Sequence, residues 1–294
     1  MSSELILNAD GSVYHLGLRP EHVAPLIVTV GDPDRVEAVS ALFDAIDFRQ
    51  NRREFRTHVG RFAGRRIMCI STGIGTDNVD IVLNELDALV NLDLRSGGAL
   101  SRKRVLTFVR LGTSGTFQED IPVDTLLGSA GAVGVDGLGP FYPFARYGPA
   151  DALRQLHPAF AAAAYGAPGD EGLLSTWLDS RPDYRRGLTI TCAGFYGPQR
   201  RSLRLPFRGP SLAALADIRL DGEDVRFTNF EMETAGLYGL SGLLGHRALS
   251  LSAILANRAT GRFSGTPAAT VKRLIDEFFS CLRAHPSVFY SGEN

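Results

Sequence analysis

Apolar runs of strand length alternate with segments of helical period along most of this chain, and the strand-like runs break into loops of glycine, hydroxyl or arginine residues. "PLIVTVGD" (25–32) precedes "DRVEAVSALF", and "RRIMCISTGIG" (65–75) precedes "TDNVDIVLNELDALVNL". In the second pair Val79, Val82, Leu83, Leu86, Leu89 and Val90 keep one helical face. Asp77 is the expected N-cap there. "RVLTFVRLGTSG" (104–115), "RGLTITCAGFYG" (186–197) and "RALSLSAILANR" (247–258) read as further strands. "GTPAATVKRLIDEFFSCL" reads as the last helix, with Thr266 at the N-cap and Pro267 in the first turn. This alternation predicts an α/β fold: one domain over 1–294, with a mixed, largely parallel central sheet flanked by helices. Residues 1–20 are expected to be largely extended.

Composition narrows the function. With 31 Lys+Arg against 32 Asp+Glu, the formal net charge is −1, which argues against a nucleic-acid or anionic-membrane surface. Lysine occurs only at Lys103 and Lys272, so nearly every cation is a planar fork suited to carboxylates and phosphates. The three cysteines, Cys69, Cys192 and Cys281, form no CxxC; that fits a reducing cytoplasm and excludes a cysteine zinc site. The N-terminal stretch lacks a basic region followed by an apolar core, and no apolar run reaches membrane-span length.

In sheets of this kind ligands gather where strands end and helices begin, so the strand-terminal loops carry the argument. "STGIGTDN" invites a dinucleotide reading, but Asn78 stands where GxGxxG needs a small residue. In "VRLGTSGT" the amides near Gly112 and Gly115, the hydroxyls of Thr113 and Ser114, and Arg110 make an anion nest or a plain strand-to-loop transition. In "VGDPDRV", Gly31 ends a strand and Arg35 opens a helix. A cation there is misplaced unless an anion is near, or unless Asp32 or Asp34 pairs with it. "FYGPQRR" supplies a ring at Phe195, a donor–acceptor amide at Gln199 and a charge at Arg201, which suits a heterocyclic base or an ordinary surface loop. "FTNFEMET" places Glu231 and Glu233 around Met232. On a helix, residues two apart lie about 200° round and diverge; on an extended lead-in they share a face. A two-carboxylate glycosidase would need both on one sugar.

Taken in order, "VYHLGL", "VTVGDPDRVE", "REF", "STGIG", "VRLGTSG", "GFYGPQRR", "NFEMET" and "ILANR" resemble the nucleoside phosphorylase family, most closely its uridine phosphorylases, from residue 13 to about 260. The resemblance implies phosphate-dependent cleavage of a pyrimidine nucleoside, uridine and phosphate giving uracil and ribose 1-phosphate. It assigns phosphate to Gly31, Arg35, Arg110 and Thr113, with Arg53 inserted by a neighbouring subunit. It assigns ribose to His15 (also from the neighbour, at the 5′-hydroxyl), Met232 and Glu233, with Glu231 secondary, and the base to Phe195, Gln199 and Arg201. Arg110, Glu233 and Arg201 are then the catalytic set. No cofactor or catalytic metal is implied, and orthophosphate is a co-substrate. A monovalent cation held near Glu54 in some relatives is put in question by Asn78, which replaces their serine. The active unit would be at least a homodimer, with a hexamer expected, in the cytoplasm.

Purine-cleaving relatives carry an aspartate just after the late strand; Asn257-Arg258 stands here, and an arginine has no proton to give a purine. This favours uridine. A purine phosphorylase, a water-using nucleosidase and a non-catalytic nucleoside-binding module remain as alternatives. Departures from the family lie at Thr76–Asn78, at Gly197-Pro198 and between about 128 and 183.

Overall fold

The computed structural model describes residues 4–220 and 225–290; the outermost residues of the 1–294 span lie outside them. The strands are β1 (Leu26–Val30), β2 (Ala45–Arg52), β3 (Phe55–Phe62), β4 (Arg65–Ser71), β5 (Thr107–Thr116), β6 (Leu126–Val135), β7 (Tyr165–Pro168), β8 (Arg185–Cys192), β9 (Phe227–Glu231), β10 (Arg247–Asn257) and β11 (Arg262–Phe263). The helices are α1 (Arg35–Ser40), α2 (Thr76–Asn91), α3 (Gly148–Leu156), α4 (Pro158–Ala161), α5 (Glu171–Leu178), α6 (Leu212–Ala216), α7 (Thr234–Leu244), α8 (Pro267–Ala284) and α9 (Pro286–Phe289).

All the strands join one sheet, in the order β11-β10-β6-β8-β9-β5-β1-β4-β3-β2, with β7 beside β6 and a further pairing of β10 with β5. Parallel pairing holds β4–β1–β5–β10 together, and separately β6–β8–β9. Antiparallel pairs β10–β6 and β5–β9 join these blocks, so β10, β6, β8, β9 and β5 close a circuit. The outer strands pair antiparallel as well. The sheet is thus mixed as expected. Its parallel part is its middle, because β2–β3 and β3–β4 are joined by tight turns that leave no room for a crossover helix.

The strand β1 shows how the layers form. All five residues are buried, and the pleat divides them. Leu26, Val28 and Val30 pack with Val36 and Val39 of α1 and Leu274 and Phe278 of α8. Ile27 faces the other way, toward Val79, Val82 and Leu86 of α2 and Leu237 of α7. A run apolar on both faces needs helices on both faces, and it has them. A third cluster sits under β8 and β9, where Ile190, Phe227 and Phe230 meet Leu153 and Leu215.

Some boundaries differ from the sequence reading. α1 has only six residues. α2 starts at Thr76 on a Gly75 cap with φ 105°, so Asp77 lies inside the first turn rather than at the cap. Its carboxylate still suits the positive end of the helix. Thr266 does precede α8, with Pro267 at N1, but its side chain makes no capping bond. The early segment is not simply extended: Leu7 bridges Val13 through a turn in which Asn8 Nδ2 donates to the Val13 carbonyl.

Candidate active site

The carboxyl ends of β1, β4, β5, β9 and β10 surround one cavity of about 850 Å³. Gly31, Arg35, Arg110, Thr113, Phe195, Gln199, Arg201, Glu231, Met232 and Glu233 all line it. Segments up to about 200 residues apart in sequence therefore meet in one place.

The first wall is cationic. Arg35 opens α1 and sends Nη1 to the Leu111 carbonyl at 3.3 Å. The salt-bridge alternative for Arg35 does not form among the described residues: Asp34 instead meets Arg56 at 3.4 Å, and Asp32 Oδ1 accepts the Asp34 N–H. Burial lowers the Arg35 pKa; Asp32 opposes that and Arg110 adds to it. Arg110 projects from β5 and folds over Gly112, where a Cβ would stand 2.0 Å from Nη1, so any larger residue there would push the guanidinium out of this position. Thr113 and Ser114 complete this end, and the Ser114 hydroxyl accepts from Asn229 Nδ2 at 3.1 Å.

The second wall settles the geometry of the paired glutamates. β9 ends at Glu231 and α7 begins at Thr234, so Glu231 closes the strand while Glu233 (φ −135°, ψ −34°) sits on the bend that leads into the helix, and both carboxylates turn toward Arg110. Arg110 Nη2 reaches Glu233 Oε2 at 2.6 Å and Glu231 Oε2 at 3.2 Å. Their duties differ. Glu231 Oε2 accepts the N–H groups of Glu233 and Thr234, both at 2.8 Å, and so caps α7; Oε1 accepts the Thr191 hydroxyl at 2.5 Å. Among the described residues, Glu233 Oε1 accepts only the Gly75 N–H, at 2.9 Å, from the turn into α2. Glu231 is thus consumed by the fold, while Glu233 keeps capacity toward the cavity. Burial raises the Glu233 pKa against the pull of Arg110, and Glu231 raises it further. Burial disfavours the charge on Arg110, yet Glu231 and Glu233 more than offset it and raise its pKa.

The third wall is the loop after β8. Gln199 is buried, and its Oε1 accepts from Arg201 Nη1 at 2.7 Å. The Arg201 guanidinium lies 3.7 Å from the Phe195 ring centroid, so the ring face expected to be open for stacking is covered on one side by its own neighbour. Burial lowers the Arg201 pKa to about 10, with Arg258 adding to the effect. Arg258 braces the loop from below, donating to the carbonyls of Gln199 at 2.8 Å and Arg200 at 3.2 Å. Gly197-Pro198 forms a short 3-10 turn, after which Arg200 takes a left-handed φ of 63°. Gln199 therefore faces the cavity despite the altered dipeptide.

Two expected residues lie elsewhere. His15 and Arg53 do not line this cavity. His15 Nδ1 contacts Glu85 Oε1 at 2.6 Å, and its ring meets Tyr14 edge-on at 4.9 Å. Arg53 sits exposed at the β2–β3 turn with φ 54°, its guanidinium 5.6 Å from the Tyr14 ring centroid. His15, Tyr14 and Arg53 thus form one surface group outside the chain's own cavity. Glu54 and Asn78 flank Gly73, where a Cβ would meet Asn78 Nδ2 at 2.7 Å and Glu54 Cγ at 3.1 Å. Sequence reasoning missed Ile74, Leu255 and Phe263 as lining residues. Leu255 follows from a register shift in β10 between Ile254 and Ala256, which no local pattern announces.

The profile described as "Phosphorylase superfamily" matches residues 25–282. The uridine phosphorylase of Thermococcus kodakarensis is 33% identical over 264 residues, 90% of this chain and 84% of that protein. The Haemophilus influenzae uridine phosphorylase is 29% identical over 248 residues, 84% and 86% of the two chains. A Trypanosoma brucei nucleoside phosphorylase, whose crystal structure is described as showing uridine phosphorylase activity, superposes with a TM-score of 0.85 at 25% identity, covering 95% of this chain and 99% of that one. The match spans β1 to α8, and so every wall of the cavity. On these grounds the chain belongs to the phosphorylase superfamily.

Proposed function

We propose that the chain catalyses phosphorolysis of a pyrimidine nucleoside, converting uridine and phosphate to uracil and ribose 1-phosphate. The observation that carries this is the position of Arg110. Its guanidinium is ion-paired with Glu233 at 2.6 Å and lines the same cavity as Arg35, so an anion held by the arginines would lie next to a diol held by the glutamate.

The chemistry follows from the walls. Phosphate held by Arg35, Arg110, Thr113 and the Gly31 backbone, with Arg53 of a second copy, would be positioned to attack the anomeric carbon. A phosphate oxygen forms the new C1′–O bond while the C1′–N1 bond breaks, and its electron pair leaves with the base. Glu233, with Met232 beneath the sugar, would hold the ribose hydroxyls and favour the positive charge growing on the ring. Gln199 has Nε2 left to donate to a base carbonyl, and its Oε1 has a second lone pair for a ring N–H. That pattern fits uracil. Arg201 would stabilise the departing negative charge. No side-chain nucleophile and no resident metal or cofactor enters this scheme.

His15 and Arg53 lie together outside their own cavity, which supports at least a homodimer that shares its sites, with a hexamer as the expected assembly. No helix among the described residues is long and apolar enough to cross a membrane. We place the enzyme in the cytoplasm, in pyrimidine nucleoside salvage, with no nucleic-acid partner. The deciding experiment incubates the protein with a panel of nucleosides, with and without phosphate, and reads released base and sugar product. Ribose 1-phosphate and uracil are expected only when phosphate is present. Turnover that ignores phosphate would mean a nucleosidase, and uridine binding without uracil release would mean a silent module.

A further inference from the structure

The fold buries a glutamate on α2 that the scheme above does not use. Glu85 is 8% exposed. Its Oε1 accepts the His15 N–H at 3.0 Å and meets His15 Nδ1 at 2.6 Å, while Oε2 accepts the Leu16 N–H at 2.9 Å. No lysine or arginine pairs with Glu85 among the described residues. A carboxylate that only closed the turn would need the two backbone contacts. The third contact, the shortest, goes to the imidazole.

We propose that Glu85 is a positioning residue for His15, and that its effect is felt in the site of the neighbouring copy. The inference rests on His15 serving the ribose 5′-hydroxyl across an interface. A carboxylate only accepts, so Nδ1 must carry the proton of the contact. With Nδ1 carrying that proton, the neutral tautomer leaves Nε2 as an acceptor that has no hydrogen bond among the described residues and to which a hydroxyl could donate. Glu85 thus sets both the tautomer and the ring's aim. It does so from a rigid base, because α2 runs for 16 residues with Val82, Leu83, Leu86 and Leu89 buried around it. The same helix starts beside Gly75, whose N–H holds Glu233. One element therefore fixes a ribose contact in its own site and another in its neighbour's.

The test compares uridine with 5′-deoxyuridine at saturating phosphate in wild type, Glu85→Gln, His15→Ala and the double variant. Removal of the charged acceptor should raise KM for uridine about ten-fold, the worth of one charge-assisted hydrogen bond. KM for 5′-deoxyuridine should stay within about two-fold, since that substrate lacks the hydroxyl. The double variant should be no worse than His15→Ala, because the two residues act as one unit. Equal losses on both substrates would make Glu85 merely structural and overturn the proposal. A uridine defect in His15→Ala with none in Glu85→Gln would overturn it while sparing the reading of His15. If His15→Ala treats both substrates as wild type does, the reading of His15 falls and the proposal falls with it. Phosphorolysis itself is read in the wild-type control, so its failure is seen separately.

Discussion

Arg110 is asked to do two things at once. It faces the anion wall, and it neutralises two buried carboxylates at 2.6 and 3.2 Å. Removing it leaves Glu231 and Glu233 without their cation, which typically costs about 3–5 kcal/mol for a buried pair. Arg110→Gln should therefore lose stability as well as activity. The loss should depend on pH. Burial already holds the Glu233 carboxyl above its ordinary value of 4.5, so the folded chain keeps a proton more tightly than the unfolded one. Stability from that group rises as pH falls through the folded value and levels off below the unfolded one. Without Arg110 the folded value climbs further, so the deficit should be largest at pH 8 and shrink toward pH 5. Urea midpoints at both pH values check this, and an equal deficit at the two would refute it. Arg35 offers the cleaner probe of phosphate. It has a carbonyl contact and no ion pair among the described residues, so Arg35→Gln should change stability by less than about 1 kcal/mol. Its KM for phosphate should rise roughly ten- to hundred-fold, the scale of a lost charge-assisted contact. An unchanged phosphate KM would take Arg35 out of the site.

At the scale of elements, the site depends on how α2 meets α7. Gly236 lies in the first turn of α7, and a Cβ there would stand 2.8 Å from Thr76 Cγ2 at the start of α2. Thr76 is next to Gly75, the residue that holds Glu233. Gly236→Ala should push the two helices apart at a cost of about 1–3 kcal/mol. It should also raise KM for the nucleoside several-fold although Gly236 does not line the cavity. A steady-state KM near the wild-type value, with a normal melting temperature, would show that the helices absorb the methyl freely. The same contact shows what local reading can and cannot reach. β1, β4, β5 and β10 were legible because each is an apolar run punctuated by a loop of special chemistry. β6, "LLGSAGAVGV", was not, since its glycines trade apolar signal for room: Cβ atoms at Gly128 and Gly134 would strike Leu174 and Tyr165. β2 was hidden because its burial merely alternates between exposed and intermediate. The cavity residues that announced themselves were those with unusual chemistry for a loop. In sequence Arg258 signals only a missing aspartate, and its grip on the Gln199 carbonyl exists only once β10 and the β8 loop are side by side. Likewise, that Glu231 caps α7 while Glu233 stays available follows from where β9 stops, a boundary that sequence left undecided between helix and lead-in.

For the whole molecule, the telling fact is that two arginines proposed for one phosphate lie in different places on one chain. Arg35 lines the cavity, whereas Arg53 stands exposed at the β2–β3 turn beside Tyr14. Its left-handed φ of 54° belongs to the tight turn, as does the φ of 49° at Ala63 in the next hairpin, and it holds the arginine out from the sheet edge. If that arginine serves a second copy, symmetry makes a sharp prediction. In a twofold pair each site takes Arg35 from one chain and Arg53 from the other. Arg35→Ala and Arg53→Ala homodimers then each have two defective sites. A mixed dimer has one site lacking both arginines and one site lacking neither. Random mixing makes half the dimers mixed, and half their sites intact, so co-refolded protein should regain about a quarter of wild-type activity. The parents alone should each remain far below that level. If Arg53 served its own chain, every site in the mixture would lack one arginine, and no activity would return. Co-refolding at a one-to-one ratio, with phosphorolysis rates measured against both parents, separates these outcomes, and recovery at the parental level would place Arg53 outside the neighbour's site.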